Sequence, residues 1–407
     1  MPKETYLDNA ATTPCDSNVL KKMEQYWSKI YGNPSSFNDA GREAKKMVDQ
    51  SRQKIARLLG ARNQEIIFTS SATESNNLAI FGTAKALKKT VAQPHIITTN
   101  IEHHSALEPI KILKKEGSEV TYLSVDKEGL VKLDELKKAI RPETILISII
   151  YANNEIGSVQ PIKKIAKTVK EFKKNSEYPY FHIDAVQAAG HLDINVNNLG
   201  VDLMTVSSHK IYGPKGVAAL YIKRGTKIEP IIYGGGQEMG LRSATEVVPL
   251  IVGFAKALEM TNTKKVITNS KQEKLRAYFI KNLRSLFPKI KINGPENPQN
   301  RVPHIINLTF PEIENEQLLL HLDKHGIRAS AGSACTSREI EPSHVLTAIG
   351  LSKEEARSSI RFSLGRKISK ADLDYVLKIL PKVVKKIEKL YPKDLKKHYY
   401  SDSATNR

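Results

Sequence analysis

Four short stretches carry residue types suited to covalent chemistry. Val206-Ser-Ser-His-Lys210 sets a lysine just after an apolar run, and Phe181-His-Ile-Asp184 ends another apolar run on an aspartate, with Gln187 three residues on. Phe68-Thr-Ser-Ser-Ala-Thr73 turns a third run into a helical stretch through small and hydroxyl residues. Gly332-Ser-Ala-Cys335-Thr-Ser337 holds one of only two cysteines in 407 residues, on a segment with little side-chain bulk to pack down. A helix start with free N–H groups attracts a phosphate. A lysine beside it can form a Schiff base, and an aspartate can hold a pyridinium nitrogen. Together these are the parts of a pyridoxal-phosphate (PLP) site. A thiolate brought to a substrate activated there would be a nucleophile. Alone, each feature is equally what a turn, an N-cap or a polar loop displays; the order phosphate turn, aspartate, lysine on successive strand ends carries the reading.

The elements that must position them follow from the apolar pattern. Runs at 65–69, 95–99, 120–125, 145–150, 180–184, 203–207 and 217–222 read as strands, most of them separated by helical stretches such as 40–59, which Gly60 terminates. Ile145-Leu-Ile-Ser-Ile-Ile150 is apolar almost throughout, as in a strand covered on both faces. The expectation is an α/β fold with a mostly parallel sheet, whose ligands bind at the carboxyl ends of its strands. A helical region over 245–286 leads to a second, α+β pattern with strands at 305–310, 327–329 and 359–362 and a closing helix over 370–389. The domains read as 15–261, large and cofactor-binding, and 1–14 with 262–407, smaller and carrying a mobile cysteine loop at about 329–340.

Composition excludes several classes. Hydrophobic residues make up 40% and charged residues 26%, as in an ordinary globular protein. No apolar run reaches the ~20 residues of a membrane helix. Cys15 and Cys335 cannot build a disulfide framework, and Met-Pro-Lys-Glu-Thr-Tyr-Leu-Asp at the start lacks a signal-peptide pattern, so a reducing cytoplasm is expected. Cys15, just before Asp16 caps a helix, reads as structural. Lys and Arg exceed Asp and Glu by 63 to 43, a formal charge of +20. The lysines are interleaved with apolar residues and no arginine–aromatic stripe accompanies them, so a solvated surface is expected rather than direct nucleic-acid binding. His103 and His104 are adjacent and their side chains diverge, so no metal site is expected.

With Tyr6-Leu-Asp-Asn-Ala-Ala-Thr-Thr-Pro14, Ala72-Thr-Glu-Ser-Asn-Asn77, Ile101-Glu-His-His104, Asn153-Asn-Glu-Ile-Gly157, Asp184-Ala-Val-Gln187, Ser207-Ser-His-Lys210, Gly332-Ser-Ala-Cys-Thr-Ser337 and Ser359-Ile-Arg-Phe-Ser-Leu-Gly-Arg366, the chain resembles the cysteine desulfurases of the NifS/IscS type, a branch of the fold-type I PLP enzymes, over nearly its whole length. The resemblance implies a reaction in which L-cysteine becomes L-alanine and its sulfur leaves as a persulfide on Cys335. It implies Lys210 as the Schiff-base lysine and proton shuttle, Asp184 as partner of the pyridine nitrogen, and His103 stacked on the ring. Gln187 and Asn154 would orient cofactor and substrate. Ala72, Thr73, Ser207 and His209 would hold the phosphate, with Thr245 reaching the phosphate of the other subunit of a homodimer. Arg361 would clamp the substrate carboxylate. Partners would be a sulfur acceptor, either an iron–sulfur scaffold or another sulfur carrier, including one serving tRNA thiolation. A selenocysteine lyase-like activity and a non-catalytic scaffold are the alternatives. The sequence departs from the family's pattern at Asn38, where histidine is usual, at Ser71, Ser208 and Ala244, where glycine is common, and at Val247, where asparagine often stands. These changes remove no residue with a chemical role, so an active enzyme of altered efficiency is expected.

Overall fold

The computed structural model of the chain describes residues 4–173, 176–332 and 342–390. After a two-residue strand β1 (Thr5–Tyr6) come β2 (Ile66–Thr69), β3 (His95–Thr99), β4 (Glu119–Leu123), β5 (Thr144–Ile150), β6 (Tyr180–Asp184), β7 (Leu203–Ser207) and β8 (Ala218–Ile222). The last seven form one sheet in the order β2-β8-β7-β6-β5-β3-β4. Pairing is parallel from β7 through to β4, and β8 alone runs against its neighbours β2 and β7. The short β7–β8 connection explains that reversal, since parallel neighbours need a crossover of a dozen residues or more. All seven expected strands are present, with ends moved by no more than two residues.

Every residue of β5, β6, β7 and β8 is buried, as strands covered on both faces require. The helix Asp39–Leu59 stops at Gly60, whose φ of 70° is left-handed and whose N–H closes on the carbonyls of Ala56 and Arg57. A Cβ there would also lie 2.6 Å from the side chain of Asn195.

A single helix, Val248–Leu286, leads away from the large sheet. Beyond it, β9 (Lys291–Asn293), β10 (Ile305–Thr309) and β12 (Ser359–Ser363) form an antiparallel sheet, and β11 (Ile327–Arg328) pairs in parallel with β1. The apolar pattern shows no strand at β1 or β9, because two or three residues are too few to show a period. An apolar cluster gathers Leu7, Phe279, Leu308, Phe362 and Leu380, so the 5–7 segment packs with the carboxyl-terminal elements. Val302, Ile305, Leu346 and Ile349 instead join the larger cluster built around the seven-stranded sheet.

Candidate active site

The carboxyl ends of β3, β5, β6 and β7 meet the start of the helix Ala72–Leu87 at one edge of the sheet. Asp184 closes β6 and is 5% exposed. One carboxylate oxygen accepts Asn76 Nδ2 at 2.8 Å and the other accepts the Val186 N–H at 3.0 Å. Asn76 Nδ2 also lies 2.8 Å from Ser105 Oγ. Ser105 Oγ in turn sits 2.8 Å from His103 Nδ1, and its N–H donates to that nitrogen at 3.1 Å. His103 is therefore the N-cap of the helix His104–Lys115, and an accepting Nδ1 places the proton of the neutral ring on Nε2. Burial pushes the imidazole below its ordinary pKa, against the pull of Asp184; Lys210, His104 and His344 press in the same direction as burial.

Lys210 ends the single 3-10 turn Ser208–Lys210 that follows β7. Its Nζ donates to the carbonyls of Ala10 and Ala11, both at 2.6 Å. Gln187 Nε2 donates to the same Ala10 oxygen at 2.8 Å, so the two side chains converge on the 6–14 segment. Thr13 ties that segment to the turn, through its N–H and its hydroxyl to the His209 carbonyl. Thr12 Oγ1 meets His209 Nδ1 at 3.1 Å. Burial, then the charges of Lys210 and Lys215, bring the His209 pKa down to about 4, so near neutral pH it offers an N–H and no charge.

Arg361, on β12, is the largest fully buried side chain, at 1% exposure. Its Nη1 donates to the Asn154 carbonyl and its Nη2 to Asp8 Oδ1, each at 2.8 Å. Its Nε, also buried, has no acceptor among the described residues. The Asn154 side chain stands half-buried beside Asn153, whose amide is spent on the Ile101 carbonyl and on the N–H groups of Glu155 and Ile156. Ser207 is buried at the end of β7; Ala72 is half-buried and Thr73 exposed in the first turn of the helix Ala72–Leu87. Thr245 is exposed, just ahead of Val248. Cys335 lies outside the described residues. The chain on either side of that stretch is anchored: Ser330 pairs with Arg361 through both backbone bonds, and Ser343 Oγ donates to Glu155 Oε2 at 2.6 Å.

Two departures have local explanations. Ser71 adopts φ −163°, an extended backbone open to any residue, and its Oγ caps the helix by accepting the Glu74 N–H. Asn38 caps the helix Asp39–Leu59 by accepting the Gly41 N–H at 2.9 Å. Cys15 packs against the large core with its thiol pushed up by burial, which keeps it protonated.

Sequence reasoning assigned no role to Asp8, Asn76, Glu102 or Ser105. Asn76 and Glu102 stand inside the quoted motifs, Asp8 in the first of them, so the signal was present as motif membership without a partner. Glu102 is fully buried, its Oε1 accepting from Thr99 Oγ1 and the Ile150 N–H while Oε2 has no partner among the described residues. Burial raises its carboxyl to about 8. Its carbonyl meets His344 Nε2 at 2.9 Å. A second pair, His191 and His304, stacks at 3.8 Å behind Gln187. Among the described residues, no cluster of His, Cys, Asp and Glu could hold a metal ion, and no helix is long and apolar enough to cross a membrane.

A mixed seven-stranded sheet that carries a buried aspartate and a lysine after adjacent strands is the α/β arrangement expected of a fold-type I enzyme. The model of the aminotransferase class-V family matches residues 5–376, and the chain belongs to that family. It is 48% identical over 392 residues to the "Cysteine desulfurase IscS" of Dictyoglomus turgidum, covering 96% of this chain and 97% of the relative. Among solved structures, a "NIFS-LIKE PROTEIN" superposes with a TM-score of 0.87 at 38% identity, covering 94% of this chain and all of the other. "SspA in complex with cysteine" superposes with a TM-score of 0.75 at 37% identity, covering 88% of this chain and 98% of the other.

Proposed function

We infer that this chain is a PLP-dependent cysteine desulfurase, which takes sulfur from L-cysteine as a persulfide on Cys335 and releases L-alanine. The observation that carries the reading is the convergence of Asp184, His103 and Lys210 at one sheet edge, in a chain nearly half identical to enzymes of that name. The residues fit the cofactor: a buried carboxylate is already oriented by two N–H donors, and the buried Oδ1 of Asn76, one of those donors, has no partner among the described residues. Bound PLP supplies an electron sink for the substrate's α-carbon.

The chain's own residues do the rest. Asp184 holds the ring nitrogen protonated, its charge steadied by Asn76 and Val186. His103 presents Nε2, because Nδ1 is committed to Ser105. Lys210 carries the proton to and from the α-carbon, with Gln187 beside it. Ala72 and Thr73 offer helix-start N–H groups to the phosphate, joined by Ser207 and a neutral His209. Thr245, exposed in this protomer, contributes to the phosphate site of a second copy in a homodimer. Arg361 and Asn154 hold the substrate carboxylate. The Cys335 thiolate attacks the substrate sulfur; the carbon–sulfur bond breaks, a sulfur–sulfur bond forms, and the carbon fragment takes up a proton as alanine. An apolar cluster made only of Leu7 and residues from 275 to 387 supports a division into two domains, 15–261 and 1–14 with 262–407, with Ala10, Val302, Ile305, Leu346 and Ile349 packing across it onto the large core. An acceptor protein then removes the sulfur, in a cytoplasmic setting.

The test is direct. Purified protein given PLP should show a visible absorption band that Lys210→Ala lacks, and should convert L-cysteine to equimolar alanine and, with a thiol reductant, sulfide. A protein that binds PLP through Lys210 yet forms no alanine would contradict the reading.

A further inference from the structure

Arg361 is held in place by a carboxylate from another segment of the chain, and that pairing bears on which substrates the site accepts. A guanidinium has five N–H donors in a rigid fork. Here one is given to the Asn154 carbonyl and one to Asp8 Oδ1. The side chain is 1% exposed and that of Asp8 is 18% exposed, so the pair is shielded well enough for a charge-assisted bond to fix orientation. Asp8 itself is anchored by its backbone: it bridges Ser363, two residues beyond Arg361 on β12, and its carbonyl accepts the Ala11 N–H at 3.1 Å. The next residues, Ala10 and Ala11, are the ones that receive Lys210 Nζ. One short segment thus touches both the arginine and the lysine.

We propose that Asp8 is a positioning residue that confers carboxylate specificity: together with the Asn154 carbonyl it pins both Nη nitrogens of Arg361, so that the remaining donors, among them the buried Nε that has no acceptor among the described residues, face an incoming α-carboxylate in one orientation. This rests on the reading of Arg361 as the carboxylate-binding residue. The sign of the effect is decisive. As a mere charge, Asp8 repels a second carboxylate, and its neutralisation would tighten binding; as a positioning group, its loss lets the fork turn and weakens binding.

The experiment uses PLP-loaded Asp8→Asn, Arg361→Lys and wild-type enzyme. It measures KM and kcat for L-cysteine and the inhibition constants of L-alanine and of ethylamine, which is alanine's amine without the carboxylate. For Asp8→Asn we expect KM for L-cysteine and the constant for L-alanine to rise about tenfold, in keeping with the loss of a hydrogen bond to a charged group, with kcat changing less and the ethylamine constant unmoved. An unmoved ethylamine constant also reports that the variant is folded and loaded. If Arg361→Lys weakens L-alanine while Asp8→Asn leaves it unchanged or tightens it, the proposal is overturned. If Arg361→Lys itself spares L-alanine, the underlying reading of Arg361 fails instead.

Discussion

The cofactor edge and the carboxylate clamp are built in opposite ways. At the cofactor edge, Asp184 ends β6, Lys210 closes the turn after β7 and His103 caps the helix after β3, and Asn76 and Ser105, the partners of Asp184 and His103, lie on adjoining helices. At the clamp, Arg361 comes from the small antiparallel sheet, Asn154 from the loop after β5, and Asp8 from the segment before β2. The first site is set chiefly by one sheet's geometry, with the 6–14 segment laid against Lys210; the second exists only where three distant stretches meet. An edge of this kind fixes chemistry, and a composite clamp of this kind fixes which molecule is admitted.

Substitutions should separate the two. Lys210→Ala should lower kcat about a thousandfold, within the range for a lost general acid–base group, with the visible band absent. Asp184→Asn should cost about a hundredfold in kcat, the scale of removing an oriented electrostatic group, and Asn76→Ala, which takes away one of the two donors, about tenfold. These effects should fall on kcat, whereas changes at the clamp should fall on KM; steady-state kinetics on the three variants checks this, and a KM effect without loss of kcat would dissolve the distinction.

The same contrast explains what was legible in the sequence. A strand ending in Asp184, a lysine after the next strand and a hydroxyl-rich turn before a helix are local patterns, so the cofactor edge and the sheet could be read from the chain. The reversal of β8 and the three-residue β9 leave no periodic trace. Asp8 and Asn76 were visible only as letters in a motif, because their importance lies in partners 353 and 108 positions away. Asn38, where histidine is usual, caps a helix with its side chain, a role that its place in the pattern does not show.

Smaller effects should appear in stability. The Glu102 carboxyl stands at about 8 in the folded chain against an ordinary value of 4.5. The folded state therefore binds more protons than the unfolded state between those values, and stability present below the lower one is lost as pH rises through the upper. Glu102→Gln, measured by Tm at about pH 6 and about pH 9, should show a shallower fall than the wild type. Asn38→Ala should cost about 1 kcal/mol, the usual worth of a side-chain N-cap, by denaturant unfolding. If it also lowered kcat, the capping account of that position would be incomplete.

The most direct measurement of the central claim is a single turnover of PLP-loaded enzyme with L-cysteine, following alanine by chromatography and Cys335 by mass spectrometry, in wild type and Cys335→Ser. The account predicts one alanine and one Cys335 persulfide per active site in the wild type, and neither in the variant. Alanine formed at the wild-type rate by Cys335→Ser would contradict it.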